Sequence, residues 1–331
     1  MSEFEGRGFD PRWKDFPGFI IGITKEIWED RGVATLDHYY DPKIPVRSPA
    51  SVVVGNKGVI AATMATLAEF PDRTLLGEDV IWCPDETGGP GFLSSHRLFS
   101  TATHTGNGVY GQATGTKLGY RIIADCHAVQ NHIDDEWLIR DQGAIVRQLG
   151  HDPKDFARDL IAREGGPEIC VKPLTPANDV EGPYKGRGND DEWGQKLEAV
   201  IGSIMKADFA VFGREYDRAA ELHYPGGVTG RGAIAADRFW MGLRASFPSA
   251  KFRIEHRVGN AGGMMAPRGA LRWSLHGRHE GWGAFGRPTN AEVYILGMTH
   301  AEFGPWGLRR EYTLYDETAI WKQILLATGD L

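Results

Sequence analysis

Nowhere does the chain carry a run of about 20 apolar residues, the length a helix needs to cross a bilayer. Its opening, MSEFEGRGFDPRWKDF, is polar and acidic and has no apolar core of the kind a secretory leader carries. A soluble protein is expected. Cysteine is scarce: Cys83, Cys126 and Cys170 form an odd, scattered set without a C-x-x-C spacing. Such a set suits neither a disulfide framework nor a zinc site, and a reducing, cytoplasmic setting fits it best. Runs of Lys and Arg are missing as well, and 37 basic against 44 acidic residues leave a net charge of −7. Neither nucleic acid nor a membrane surface is an expected partner. The chain has no P-loop, no G-x-S-x-G elbow and no G-x-G-x-x-G in a strand-turn-helix context, so nothing supports a nucleotide cofactor, and none is expected. His276, His279 and Glu280 stand in H-x-x-H-E order, but that spacing on a strand-to-loop segment does not put two imidazoles on one helical face, and no metal is expected.

What the chain does contain is the same unit twice. EWLIRDQGAIVRQL from Glu136 returns as EYTLYDETAIWKQI from Glu311, 175 residues later, with Glu, Asp, Ala, Ile and Gln unchanged. The same spacing relates Arg97 to Arg272, His104 to His279, Gly106 to Gly281, Tyr110-Gly111 to Phe285-Gly286, and Gly55 to Gly230. It widens to 177 between Phe70-Pro71 and Phe247-Pro248, which places extra residues of the second copy in one helix. Two copies of about 140 residues can each bury a core.

The expected organisation is an N-terminal arm over 1–18, a first domain over 19–163, a linker over 164–192 rich in Gly, Pro, Asn and Asp, and a second domain over 193–331. In the first copy, helical spacing covers Phe19 to Tyr40 and Asn56 to Phe70, and Pro71 closes the second helix. Alternating runs then predict strands at Leu75–Trp82, Phe92–Thr101, Lys117–Val129, Ile133–Arg140 and Ala144–Leu149, with a hairpin turn at Asp141-Gln142-Gly143. The second copy repeats the order, with helices over Leu197–Arg214 and Gly232–Phe247. Helices first and an antiparallel meander after them make an α+β fold, the helices covering one face of the sheet.

From His104 the chain reads HTGNGVYGQATGTKLGYRIIADCHAVQNHIDDEW. Gly111, Thr114-Gly115-Thr116-Lys117, Gln130-Asn131, Ile133 and Trp137 in this run resemble the SnoaL-like polyketide cyclase branch of the nuclear transport factor 2-like superfamily. In the second copy, HYPGGVTGRGAI from His223 is similar to the family's loop into its second helical region. The resemblance implies two tandem cone-shaped α+β barrels of the cystatin or nuclear transport factor 2 type, each enclosing a pocket, with a mostly antiparallel sheet. It further implies an intramolecular pseudo-dimer joined through the sheets, with further homo-oligomers conceivable. The sequence departs from the family at His127, where the branch often has Arg, at Gln130-Asn131 in place of Asp-Gly, and at Thr289-Asn290-Ala291, which lacks the Thr-Gly of the turn.

Alternation puts Asp125 and His127 on one face of a strand, and His300 and Glu302 on one face of the matching strand, as acid and imidazole pairs. On the next strand Asp135 and Trp137 share a face expected to line the cone, where burial would raise the Asp135 pKa. Asp135, Asp125, His127, His300 and Glu302 are the candidate catalytic residues, and Trp137, His96, Arg97, Arg272 and Trp273 the candidate substrate contacts. Glu136 and its counterpart Glu311 are expected on the opposite face, in pairing between the copies. Acid and imidazole groups in a pocket suit cofactor-independent proton transfer on a small carbonyl compound, in cyclisation, isomerisation, dehydration or hydrolysis. The other reading is a non-catalytic small-ligand-binding or scaffold protein of the same fold.

Overall fold

The computed structural model describes Phe4, residues 6–262 and residues 264–331. Of the expected N-terminal arm, residues 1–3 and 5 lie outside it. Helix α1 (Phe16–Trp28) starts where the Asp15 carboxylate accepts from the Gly18 amide at 2.7 Å and Pro17 presets the first turn. The short α2 (Leu36–Tyr39) leads to a hairpin of β1 (Pro45–Ser48) and β2 (Ser51–Val54). Then come α3 (Asn56–Glu69), β3 (Leu76–Pro84), β4 (Phe92–Thr103), β5 (Lys117–Val129), β6 (His132–Arg140), α4 (Gln142–Gln148) and α5 (Pro153–Arg163).

The second half repeats this plan: α6 (Glu192–Met205), α7 (Val211–Glu215), β7 (Tyr216–Tyr224), β8 (Val228–Arg231), α8 (Gly232–Ser246), β9 (Lys251–Asn260), β10 (Arg268–Arg278), β11 (Glu292–Gly304), β12 (Gly307–Leu314) and α9 (Glu317–Thr328). Each half has one six-stranded sheet, in the order β2-β1-β6-β5-β4-β3 and β8-β7-β12-β11-β10-β9. The repeat reaches the register: His96 pairs with Ala124 and Leu271 with Thr299, both partners displaced by the same interval. The tandem α+β architecture is the one expected, with two refinements. The sheets are open rather than closed barrels, and they are mixed, because β1 runs parallel to β6 and β7 parallel to β12.

One expected element differs in each half, where the strand expected to end the meander, at Ala144–Leu149 in the first and running to Leu326 in the second, is a helix. Ala144–Leu149 is not a strand after a hairpin but part of α4, whose N-terminus is capped by Asp141 accepting from the Ala144 amide at 3.0 Å. An Asp followed by Gln-Gly is a turn signal, and equally a helix cap. Burial of Ala144, Ile145 and Val146, with Leu149 one turn beyond Ile145, decides for the helix. In the second half Asp316 caps α9 in the same way.

In each half the helices cover one face of the sheet, and the two remaining faces meet each other. Ile123, Trp137 and Ile139 of the first sheet pack with Val258, Leu296, Met298 and Leu314 of the second. The Gly- and Pro-rich 164–192 segment is built into this seam, burying Leu174 and Tyr184 there, with the Leu174 amide donating to the Pro49 carbonyl at 3.0 Å. Alternation therefore sorts each strand into one set facing the helices and one set facing the other half.

Candidate functional site

Most of the residues singled out from the sequence fall in the seam between the sheets. Asp125 Oδ2 lies 3.0 Å from His256 Nδ1 and 3.8 Å from Arg272 Nε. Asp135 is enclosed by the Arg47 guanidinium and the Tyr184 amide, the latter at 3.1 Å. Burial raises its pKa while Arg47 pulls the other way. Trp137 has the guanidinium groups of Arg47 and Arg272 at 4.5 and 4.1 Å from its ring. His300 Nε2 is 2.8 Å from Ser95 Oγ, and Arg97 donates to His300 Nδ1 at 3.3 Å. Burial, then the Arg97 charge, pushes the His300 pKa well below its ordinary value, so the ring is neutral.

His127 sits between Asp134 at 2.6 Å and Asp85 at 3.6 Å, stacked on Tyr184. Glu302 pairs with Arg309 and Arg310 at 3.4 and 3.1 Å. Trp273 belongs to the core of the second half, where its indole N–H donates to Thr299 Oγ1 at 3.0 Å. The expectation that Asp135 and Trp137 line a cone is thus corrected. The alternation holds, but the helix-covered face carries their neighbours. Both faces of these strands are buried, so hydrophobicity along the strand does not say which face meets the helices.

The helix-covered face of the first sheet encloses a cavity of about 280 Å³ roofed by α1 and α3. His96 is the one residue of the predicted set that lines it. At its centre stands Glu136, which was expected on the opposite face. Its strand pairing puts Glu136 beside Cys126, and Cys126 beside Ser94, in one row across β6, β5 and β4; His96, Ala124 and Leu138 form the next row of the same face. Glu136 is 6% exposed. Burial pushes its pKa up to about 7, although a hydrogen bond from Tyr40 favours the charged form. Its Oε2 has no partner among the described residues. Tyr40, raised well above its ordinary value by burial and then by Glu136, stays protonated and donates. Burial lowers His96 to about 4, so its imidazole is neutral at pH 7, with Nδ1 3.2 Å from Ser94 Oγ.

Along the same face the next strand positions are charged. Arg140 and Arg73 line the cavity wall, and Asp316, the cap of α9 in the second half, closes it from across the seam. Burial raises Asp316 to about 6 despite the three hydrogen bonds it accepts from Thr318 and Ala319.

The second half keeps the glutamate and loses the space. Glu311 accepts from Tyr216 Oη at 2.7 Å, Tyr224 Oη at 3.0 Å, Trp240 Nε1 at 3.0 Å and Thr313 Oγ1 at 2.7 Å. Its lone pairs are committed to the protein. Where the first half has His96, Ser100, Tyr120 and Arg140, the second has Leu271, Leu275, Ile295 and Tyr315. Counted back from the Phe-Pro that ends both helices, Thr63 of α3 stands where α8 has Trp240. Trp240 and Trp273 are both 0% exposed and fill the space. A sequence signal for the cavity therefore existed, in the polar-to-apolar changes between copies at alternate strand positions.

His104 and His279, which also recur, are structural. Each holds a turn through a threonine hydroxyl at 3.1 Å, Thr114 and Thr289. Among the described residues no three His, Cys, Asp or Glu side chains are grouped to hold a metal ion, and no helix is long and apolar enough to cross a membrane.

Compared with known proteins, the chain matches no family model and no curated sequence. Solved structures do match it. Wild-type IdmH from Streptomyces antibioticus, a candidate polyketide cyclase, is 19% identical, with 40% of this chain and 97% of that one covered and a TM-score of 0.35. TsrD from Streptomyces laurentii is 19% identical, covering 40% and 93%, at 0.35. A SnoaL-like polyketide cyclase from Agrobacterium tumefaciens is 18% identical, covering 40% and 98%, at 0.32. Each match spans about two fifths of the chain, the length of a single half.

Proposed function

We propose that the first half is a cofactor-independent enzyme that moves a proton next to a carbonyl group of a small, partly apolar molecule, and that the second half is its filled, supporting partner. The observation that carries this reading is Glu136: a buried carboxylate in a cavity, poised near neutrality, with one oxygen free. A general base works best when its pKa lies near the working pH. Glu136 takes the proton from carbon, the C–H bonding pair becomes the new C=C bond, and the carbonyl π pair moves onto oxygen to give an enolate. Return of the proton to another carbon completes an isomerisation; in a cyclisation the enolate carbon instead attacks a second carbonyl of the same molecule, forming the ring bond, and the proton goes to the resulting alkoxide. Neutral His96 can donate a hydrogen bond to the enolate oxygen without carrying charge, and Tyr40 holds Glu136 in place.

On this reading Asp125 and His300 join the halves, Asp135 and His127 fix the 164–192 segment at Tyr184, and Glu302 pairs with arginines of its own half. Exchange of ligand C–H for deuterium in D₂O, followed by NMR over a panel of small ketones and oxo acids, tests the reading. The intact protein should catalyse exchange for at least one compound, and Glu136→Gln should bind that compound and not exchange it. Binding without exchange in the intact protein would leave only the ligand-binding alternative.

A further inference from the structure

The far wall of the cavity holds two guanidinium groups that the mechanism above does not use. Arg73 is 4% exposed, yet no carboxylate lies within ion-pair distance of it among the described residues, and its Nη1 has no hydrogen-bond partner. Its contacts are a long hydrogen bond to Ser100 Oγ at 3.4 Å and two aromatic faces, Trp28 at 4.4 Å and Tyr120 at 5.9 Å. Arg140 likewise makes no ion pair among the described residues, and its Nε is unpartnered. The Tyr120 hydroxyl is also without a partner there. Buried Arg73 and half-buried Arg140 thus line the cavity together, each with a guanidinium nitrogen that has no hydrogen-bond partner among the described residues.

A buried charge without a counter-ion costs several kcal/mol, and buried polar atoms are ordinarily satisfied. Two other buried guanidinium groups do have a counter-ion: Arg47 meets Asp135 and Arg268 meets Asp79. Arg73 breaks the rule at the cavity wall. At the corresponding places the second half has Tyr315 for Arg140, Ile295 for Tyr120 and Leu275 for Ser100, and Ala250, again counted from the Phe-Pro, for Arg73. A purely structural need for these groups would have left them, or a substitute charge, in both copies.

We propose that Arg73 and Arg140, which line the cavity with the Tyr120 ring 5.9 Å from Arg73, form an anion subsite that holds the carboxylate of the substrate, with the reacting carbon directed toward Glu136 on the neighbouring rows. The proposal builds on the reading of this cavity as the working site and adds the substrate class: a small oxo acid with an apolar body. A monoanion suits the wall better than a phosphate dianion. Two planar guanidinium groups match the geometry of a carboxylate, and Asp316 on the same cavity already supplies a carboxylate whose field acts on Arg140. The apolar body would lie against Trp28, Leu98, Ile122 and Leu138.

The test is titration calorimetry of the full chain with three phenyl compounds: phenylpyruvate, its methyl ester and phenyl phosphate. The carboxylate is expected to bind at least tenfold tighter than the ester and tighter than the phosphate. Arg73→Met should remove that preference while leaving ester binding within about twofold, and Arg140→Met should reduce it. Because the charge removed has no protein partner, Arg73→Met should melt no lower than the parent, which keeps the variant measurable. Equal binding of acid and ester, no binding of the acid, or an undiminished preference in Arg73→Met would overturn the proposal; tighter phosphate binding would overturn the choice of a carboxylate. The same titrations in Glu136→Gln separate this subsite from the base: carboxylate preference kept with deuterium exchange lost supports both roles, whereas preference without exchange in the parent sinks only the catalytic reading.

Discussion

Three carboxylates near the repeat's best-preserved segment illustrate how one residue's surroundings decide its role. Asp135, Glu136 and Glu311 are all buried. Asp135 meets a guanidinium, Glu311 meets four neutral donors, and Glu136 meets one phenol and an empty space. Only the last is under-satisfied, and linkage makes that measurable. The folded pKa of Glu136, about 7, stands above the ordinary 4.5, so the folded state binds the extra proton and stability falls as pH rises between those values. At about 1.4 kcal/mol per pKa unit the penalty at pH 8 reaches at most ~3 kcal/mol. Glu136→Gln should therefore be more stable than the parent at pH 8 and indistinguishable from it near pH 4.5, as urea unfolding at both pH values would show. Tyr40→Phe removes the hydrogen bond that favours the charged form, so the acidic limb of a pH–rate profile should move to higher pH. A limb that stays in place would mean that Tyr40 does not act on Glu136.

At the scale of elements, the two aspartates that end β6 and β12 do more than cap helices. Asp141 accepts from the Ala144 amide and also from the Gly226 and Gly227 amides of the other half at 2.8 and 3.0 Å. Gly226 and Gly227 hold positive φ of 80° and 72°, a conformation that glycine adopts freely and that turns both N–H groups toward one acceptor. Asp141→Ala should cost ~2–3 kcal/mol, more than the ~1 kcal/mol of an ordinary cap such as Asp152→Ala, as paired thermal unfolding curves would register.

Element type and order were largely legible in the sequence: α1, α3 and β3 to β6 all follow periodicity. Several elements were not, among them α5, β7, β8 and α9. The β1–β2 hairpin is only four residues on each side, too short for alternation to declare itself. Helix α4 hid behind an Asp that signals turn and cap alike. The site suffered from a different ambiguity. Alternation correctly grouped Asp135 with Trp137 and, by default, Glu136 with Leu138 and Arg140, but in a sheet covered on both faces each set is equally entitled to the pocket. Choosing the cavity set needed the second copy's substitutions, or the structure.

Across the whole molecule, on the proposed reading, duplication separates two tasks that a single unit would have to combine. A cavity lowers the stability of the domain that contains it, since unfilled space forfeits packing contacts, while a domain freed from binding can fill its interior. The second half does this with Trp240, which both occupies the space and donates to Glu311, and it returns Asp316 to the rim of the first cavity. If this division is right, exchanging one pair of residues should reverse it locally. Thr63→Trp places an indole where the first half keeps its space. It should abolish ligand binding at a stability change within the 1–3 kcal/mol of overpacking, or with a gain if the ring fits the void. Trp240→Thr should leave first-half binding intact yet lose ~4 kcal/mol, because it opens a void and strips a buried glutamate of a donor. Measured together by calorimetry and urea unfolding, the two variants should move in opposite senses, binding lost with the fold kept in one and the fold weakened with binding kept in the other. Loss of binding in Trp240→Thr at a temperature where it remains folded would show instead that the second half, too, holds a working site.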